Sequence, residues 1–156
     1  MRIREAGPDD VEAIISVGQR TWPTTYRFAG PEYIAEGLET WWSPEAIRRS
    51  LENTTVLVAE QDGAVVGSGN IDLRGEAAII WKLYVVPEAQ GTGIGSALIT
   101  ELCGYADGRP VRLEYTDGNT PAAGFYAAHG FVEIRREANE RPGWPEAVWV
   151  ERRSAA

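Results

Sequence analysis

Three glycines stand at alternate positions between Val85 and Leu98: Gly91, Gly93 and Gly95, separated by Thr92 and Ile94. An apolar run ends just before them, at Val86, and a helix-spaced pattern begins near Gly93. The first-turn amides of such a helix have no partner within it and carry partial positive charge, so they favour a phosphate. Glycine admits positive φ and lets a ligand approach the backbone closely. Gln90 and Thr92 add side-chain donors. These residues suit a pyrophosphate cradle; an ordinary glycine-rich turn is the other reading of them. A Walker loop needs Gly-Lys-Ser/Thr after its glycines, and no lysine follows here. A dinucleotide fingerprint, G-x-G-x-x-G, counted from Gly91 ends on Ser96 and belongs on the first strand of a parallel sheet.

Other elements must hold that loop in place. Arg2–Ala6 reads as a strand. Pro8–Asp10 opens a helix with Asp9 as its cap, followed at helical spacing by Val11, Ile14, Ile15 and Gly18. Thr21–Trp42 reads as irregular, because Pro23, Gly30, Pro31 and Gly37 punctuate it. Ser43 caps a further helix with Pro44 at its first position. Val56–Glu60, Ala64–Leu73 and Ala77–Val86 form a meander, turned first at Asp62 and Gly63. Helical spacing from Ile94 to Tyr105, then a strand at Val111–Tyr115, implies a parallel pair with a crossover. Thr120 and Pro121 start a last helix that Gly130 ends, and Phe131–Arg135 and Ala147–Glu151 close the chain as strands. The fold class expected is α+β: one mixed sheet of about six or seven strands, flanked by about four helices.

Composition narrows the functions. A chain of 156 residues supports one domain with a real core. Its net charge of −8 argues against a general nucleic-acid binder but not against an anion held by backbone amides. An acidic surface can gather a cationic substrate or simply keep the chain soluble. Cys103 is the only cysteine, so neither an internal disulfide nor a multi-cysteine metal site forms, and no metal is expected. It reads as a small core residue on a helix. That usage, the absence of a recognisable leader and the absence of a long apolar span lead us to expect a cytoplasmic chain without membrane contact.

Gln90, Gly93 and Gly95 make a Q-x-x-G-x-G pattern after L-Y-V-V-P. It resembles the coenzyme A loop of GCN5-related N-acetyltransferases. A second block resembles that family's N-x-x-A-x-x-x-Y-x-x-x-G-F segment at Asn119, Ala122, Tyr126, Gly130 and Phe131. The opening I-R-E-A-x-P-x-D and the order of elements agree, so the resemblance covers nearly the whole chain. It is weakest from Trp22 to Leu51 and from Glu137 to Glu146.

The resemblance implies acyl transfer from acetyl-CoA directly to an amine. It places CoA between two splayed strands, with pantetheine on backbone groups of Tyr84, Val85 and Val86, and Val85 N–H at the thioester oxygen. Pyrophosphate would rest on Gly91, Thr92, Gly93, Ile94, Gly95 and Ser96. Gln90 stands where many relatives carry arginine, which removes a charge-assisted contact. Asn119 would hold pantetheine or the local backbone, or serve simply as a cap. Tyr126 is the catalytic candidate: a phenol with pKa near ~10 stays protonated at neutral pH and can protonate a departing thiolate. The incoming ammonium, pKa near ~10.4, must first lose a proton. Many relatives use a glutamate near the position of Ile79, which cannot act as a base. Glu114, in L-E-Y, resembles the L-E-V glutamate of acetyltransferases that act on protein N-terminal amines. Asp72 and a water chain are the other candidates. The acceptor pocket is expected among Trp22, Tyr26 and Trp81, where aromatic rings would meet a cation or simply pack. His129 is expected to face the end of its helix rather than to catalyse.

Two function classes follow. One is an N-acetyltransferase acting on a small cationic amine or a peptide or protein amine. The other is a CoA-binding sensor or interaction module without turnover, supported only by Ile79 and Gln90. A nucleotide-dependent oxidoreductase is a distant third. Homodimers are common in the family, and no segment here specifies one.

Overall fold

The computed structural model describes residues 1–153. In chain order the elements are β1 (Arg2–Glu5), α1 (Val11–Thr25), α2 (Pro31–Trp41), α3 (Pro44–Asn53), β2 (Thr55–Gln61), β3 (Ala64–Asp72) and β4 (Ala78–Val85). They continue with α4 (Ile94–Gly104), β5 (Val111–Thr116), α5 (Thr120–Ala128), β6 (Val132–Glu137) and β7 (Ala147–Arg152). The seven strands form one sheet in the order β1-β2-β3-β4-β5-β7-β6. Every neighbouring pair is antiparallel except β4 and β5. Five helices rather than four pack around it.

The additional helix lies where breakers suggested a loop. Thr21–Thr25 continues α1 with Pro23 inside it, and Pro31 begins α2 at a helical first turn instead of ending one. Gly37 lies within α2 because Trp22 of α1 packs against it; a Cβ there would sit 2.0 Å from the indole. Proline and glycine therefore mark a helix start and a close approach in this segment. The residue before α1 is Asp10 rather than Asp9, and its side chain does not cap that helix; its carboxylate accepts the Gly7 N–H at 2.8 Å and closes the Pro8–Asp10 turn. Ser43 does cap α3, accepting the Ala46 N–H at 3.1 Å.

Both faces of the sheet are covered, so the central strands bury residues on each side. Leu57 and Ala59 of β2 face Leu98, Ile99 and Leu102 of α4, in one core with Ala78, Ile80 and Leu113. Val56 and Val58 face the other way, toward Ile14, Trp22, Trp42 and Ile47. Trp42 is fully buried and lies against Gly18, where a Cβ would stand 2.2 Å from its ring. We expect Gly18→Ala to lower unfolding stability by about 1–3 kcal/mol through overpacking, outweighing about 1 kcal/mol gained in helix propensity. Denaturant unfolding of the two proteins measures the difference.

The feature that positions the site is the parting of β4 and β5. They pair only at Ala78–Val111, Ile79–Arg112 and Ile80–Leu113. At the next residue the β3–β4 register slips: Asn70 opposes Lys82 and Ile71 opposes Ile80, which leaves Trp81 as an extra residue. Such a bulge bends its strand. Meanwhile β5 stays paired with β7 as far as Thr116. The two parallel strands therefore separate, and a cleft opens between them.

Candidate active site

Register determines which backbone groups face the cleft. In an antiparallel ladder, opposed residues alternate between pairs that exchange hydrogen bonds and pairs that turn their groups outward. Val86 donates to Val66 C=O at 2.9 Å, so Val86 and, two residues back, Tyr84 are bonded to β3. Val85 and Leu83 turn their N–H and C=O groups toward the cleft. Tyr84 and Val86 thus do not offer free backbone to a ligand, whereas Leu83, absent from the sequence-based set, does. Val86 is also wholly buried in the core.

At one end of the cleft the glycine loop meets α4. Gly91 and Gly93 adopt φ of 78° and 90°, a region that other residues enter only with strain. Gly95 lies 3.4 Å, measured from an added Cβ, from the Phe125 ring. No side chain caps α4 at Gly93, which leaves its first-turn amides open to a ligand. The expected side-chain donors, however, turn inward. Gln90 Nε2 donates to Val85 C=O at 2.9 Å and Thr92 Oγ1 to Ala89 C=O at 2.5 Å. Ile94 is buried in the core, so only its backbone can contribute. Asn119 acts as a cap, its Oδ1 accepting the Ala122 N–H at 3.3 Å.

The cleft has a volume of about 690 Å³ and is lined by Val85, Gln90, Gly91, Gly93, Gly95, Ser96, Asn119 and Tyr126, among others. A second cavity of about 800 Å³ lies against the other side of the same wall, enclosed by α2, α3 and the β6–β7 loop. Six residues line both: Tyr26, Trp81, Lys82, Tyr84, Glu114 and Tyr115. Trp22 lines only the second. The two spaces therefore share the stretch where β4 and β5 part.

Four phenols gather there beside a fifth, Tyr115. Tyr26 and Tyr84 share a hydrogen bond of 2.7 Å, and Tyr33 shares one of 2.7 Å with Thr116. Burial raises the Tyr26 pKa to about 12, although its bond to Tyr84 pulls the other way. Burial pushes Tyr84 well above the phenolic range and raises Tyr33 as well. Tyr126 is held between Tyr115, stacked at 6.2 Å, and the edges of Phe125 and Phe131; burial raises its pKa first, and nearby Tyr26 adds to the shift. All four remain protonated across the neutral range, suited to donating protons rather than accepting them.

Glu114 is open to the cavities yet crowded by protein, and desolvation raises its pKa, with Glu137 adding repulsion and Arg135 opposing. Asp72 has the opposite surroundings. Arg74 grips both its oxygens, at 3.0 and 2.8 Å, and Trp81 Nε1 donates at 3.2 Å. The Arg74 contacts chiefly hold its pKa near 2 against desolvation, so Asp72 is a poor base. Its depressed pKa stabilises the fold above the ordinary value of 3.8, and that contribution disappears as pH falls toward about 2. The stability gap between wild type and Asp72→Asn should accordingly close on acidification, as urea unfolding at about pH 6 and about pH 2.5 would show.

His129 ends α5, its Nδ1 2.8 Å from Phe125 C=O. Cys103 is half-buried beside the core. Sequence reading missed Lys82, the one charged residue in the apolar run Ala77–Val86, and that isolation was the available signal. Its Nζ lies 5.2 Å from the Trp42 ring centroid, and burial, with Arg49 nearby, lowers its pKa to about 8.

A family model described as an acetyltransferase (GNAT) domain matches residues 52–133, which include the meander, the glycine loop and α5. The chain is 29% identical over 147 residues to a peptidyl-lysine N-acetyltransferase, YjaB, of Salmonella typhimurium, covering 93% of this chain and 92% of that one. It is 27% identical over 141 residues to a spermidine N(1)-acetyltransferase of Thermoplasma acidophilum, covering 84% and 88%. Its fold matches the crystal structure of the PaiA N-acetyltransferase of Thermoplasma acidophilum in complex with coenzyme A, with a TM-score of 0.85, 23% identity and 98% of each chain covered. The parted parallel strands, the uncapped glycine loop and these matches agree: the chain belongs to the GNAT acetyltransferase family and is an acyltransferase.

Proposed function

We propose that this chain is one acyltransferase domain over residues 1–156 that moves an acetyl group from acetyl-CoA to a primary amine, on a small molecule or a peptide. The observation that carries this reading is the opening between β4 and β5, with Leu83 and Val85 backbone turned into it and Tyr126 and Glu114 on its walls. The open amides from Gly91 to Ser96 would hold the pyrophosphate, and the Leu83 backbone the pantetheine. Acetyl-CoA, when bound, supplies an acetyl carbon already activated by a thiol leaving group. Glu114, directly or through water, takes the proton that the acceptor ammonium sheds, so a neutral amine forms the C–N bond. Val85 N–H donates to the carbonyl oxygen as charge builds on it. Tyr126 gives its proton to the sulfur as the C–S bond breaks, and recovers one from the proton released by the amine.

Relatives named for peptidyl lysine and for spermidine support an amine acceptor of either size. A lone free cysteine fits a reducing cytoplasm, and no helix among the described residues is long and apolar enough to cross a membrane. The test is thiol release from acetyl-CoA with a panel of amines. Amine-dependent release supports the proposal. Tight CoA binding with no release for any amine would instead indicate a binding module, and absence of CoA binding would refute the reading of the glycine loop.

A further inference from the structure

The larger cavity is electrically two-sided. Glu114, Glu140 and Glu146 lie on its β5 and β6–β7 side, and Lys82 and Arg49 on its α3 and β4 side. Two other cations in its wall are already neutralised: Arg74 by Asp72 and Arg141 by Glu36. Lys82 and Arg49 are not. Neither forms an ion pair or a side-chain hydrogen bond among the described residues, and the charge near Lys82 is the like charge of Arg49. A mostly buried ammonium without a counter-charge is costly, and one indole face at 5.2 Å offsets only part of that cost. Lys82 nevertheless lines both cavities, and its Nζ lies toward Trp42, itself in the wall of the larger one.

From this arrangement, and resting on the proposed acetyl transfer, we infer that the acceptor is an amino-acid-like molecule whose carboxylate is held by Lys82 and Arg49 while its amine faces Glu114. Both charges of a zwitterion then find partners in the wall of one cavity. Asn70 keeps the lysine in place: its Oδ1 accepts the Lys82 N–H at 2.9 Å across the bulge, and its Nδ2 donates to Thr54 at 3.2 Å. A simple diamine would leave the two cations without a partner.

The experiment compares each L-amino acid with its own carboxamide, in wild type, Lys82→Met and Lys82→Arg. Thiol release gives kcat/KM, and calorimetric titration into the CoA-loaded protein gives affinity without requiring turnover. Wild type should prefer at least one acid over its amide by about 10-fold or more, the size expected of one charge-assisted contact. Lys82→Met should erase that preference, and Lys82→Arg should retain most of it. Methionine keeps the stem against Trp42 and removes a poorly solvated charge, so the variant should fold. Equal treatment of acids and amides, or a preference that survives both Lys82→Met and Arg49→Gln, overturns the inference. If no amine releases thiol, acetyl transfer has failed as a reading, and the titrations decide separately: acid-selective binding lost in Lys82→Met supports the anion site, and no binding of either form refutes it.

Discussion

Replacing Tyr126 with phenylalanine should lower kcat for acetyl transfer on the order of 10²-fold, at the low end of what a positioned general acid contributes. That corresponds to about 2.7 kcal/mol of barrier. The substitution removes one oxygen and leaves the ring, so the contacts with Tyr115, Phe125 and Phe131 remain and the cleft keeps its wall. The KM for acetyl-CoA should therefore change little. The loss should fall on the chemical step, and single-turnover measurement would show it there. Burial holds the Tyr126 proton on over the working pH range, so wild type should show no alkaline decline attributable to this group. A kcat within about threefold of wild type would mean that thiolate departs without this proton.

Glu114→Gln carries the other large effect: kcat/KM should fall about 10²-fold, and the acidic limb of the pH profile should disappear. Desolvation raises the Glu114 pKa above its ordinary 4.5, so the wild-type limb should lie above that value. Stability should move the other way. A carboxyl whose pKa is raised on folding favours the folded state while protonated, and that contribution is lost as pH rises through the folded value. At neutral pH the ionised carboxylate therefore works against folding, and Glu114→Gln should leave Tm equal or higher. Reduced activity with unchanged or improved stability is the pattern of a functional group held in an unfavourable place. A retained acidic limb would assign the base to another group; the grip of Arg74 on Asp72 makes that residue a poor candidate.

Sequence determined the order of strands and helices wherever short-range physics governs. Asp62 and Gly63, both at positive φ, turn the hairpin; Ser43 and Pro44 start α3; Gly91 and Gly93 adopt the backbone that only glycine enters freely. The family blocks around Gly93 and Tyr126 were legible because each packs specific residue types into a few positions. Thr21–Trp42 was misread for the converse reason: Pro31 and Gly37 break a helix or serve one depending on what lies alongside, and here Trp22 lies against Gly37.

What only the tertiary structure decided is where groups point. Gln90 and Thr92 looked like ligand donors, but nearby carbonyls of Val85 and Ala89 claim them. Tyr84, Val85 and Val86 look alike in sequence, yet ladder register commits two of them to β3 and turns the third, with Leu83, toward the cleft, where Gln90 holds the Val85 carbonyl and its N–H stays open. Asp72 and Glu114 are both strand carboxylates, and only their neighbours make one a fixed anion and the other a candidate base. Lys82 was visible as a lone charge in an apolar strand, but its lack of a counter-ion among the described residues is a property of β3, α3 and the cavity together. Local propensity is written residue by residue; hydrogen-bond partners and electrostatic surroundings come from segments far apart in the chain, and they exist only once the sheet has formed.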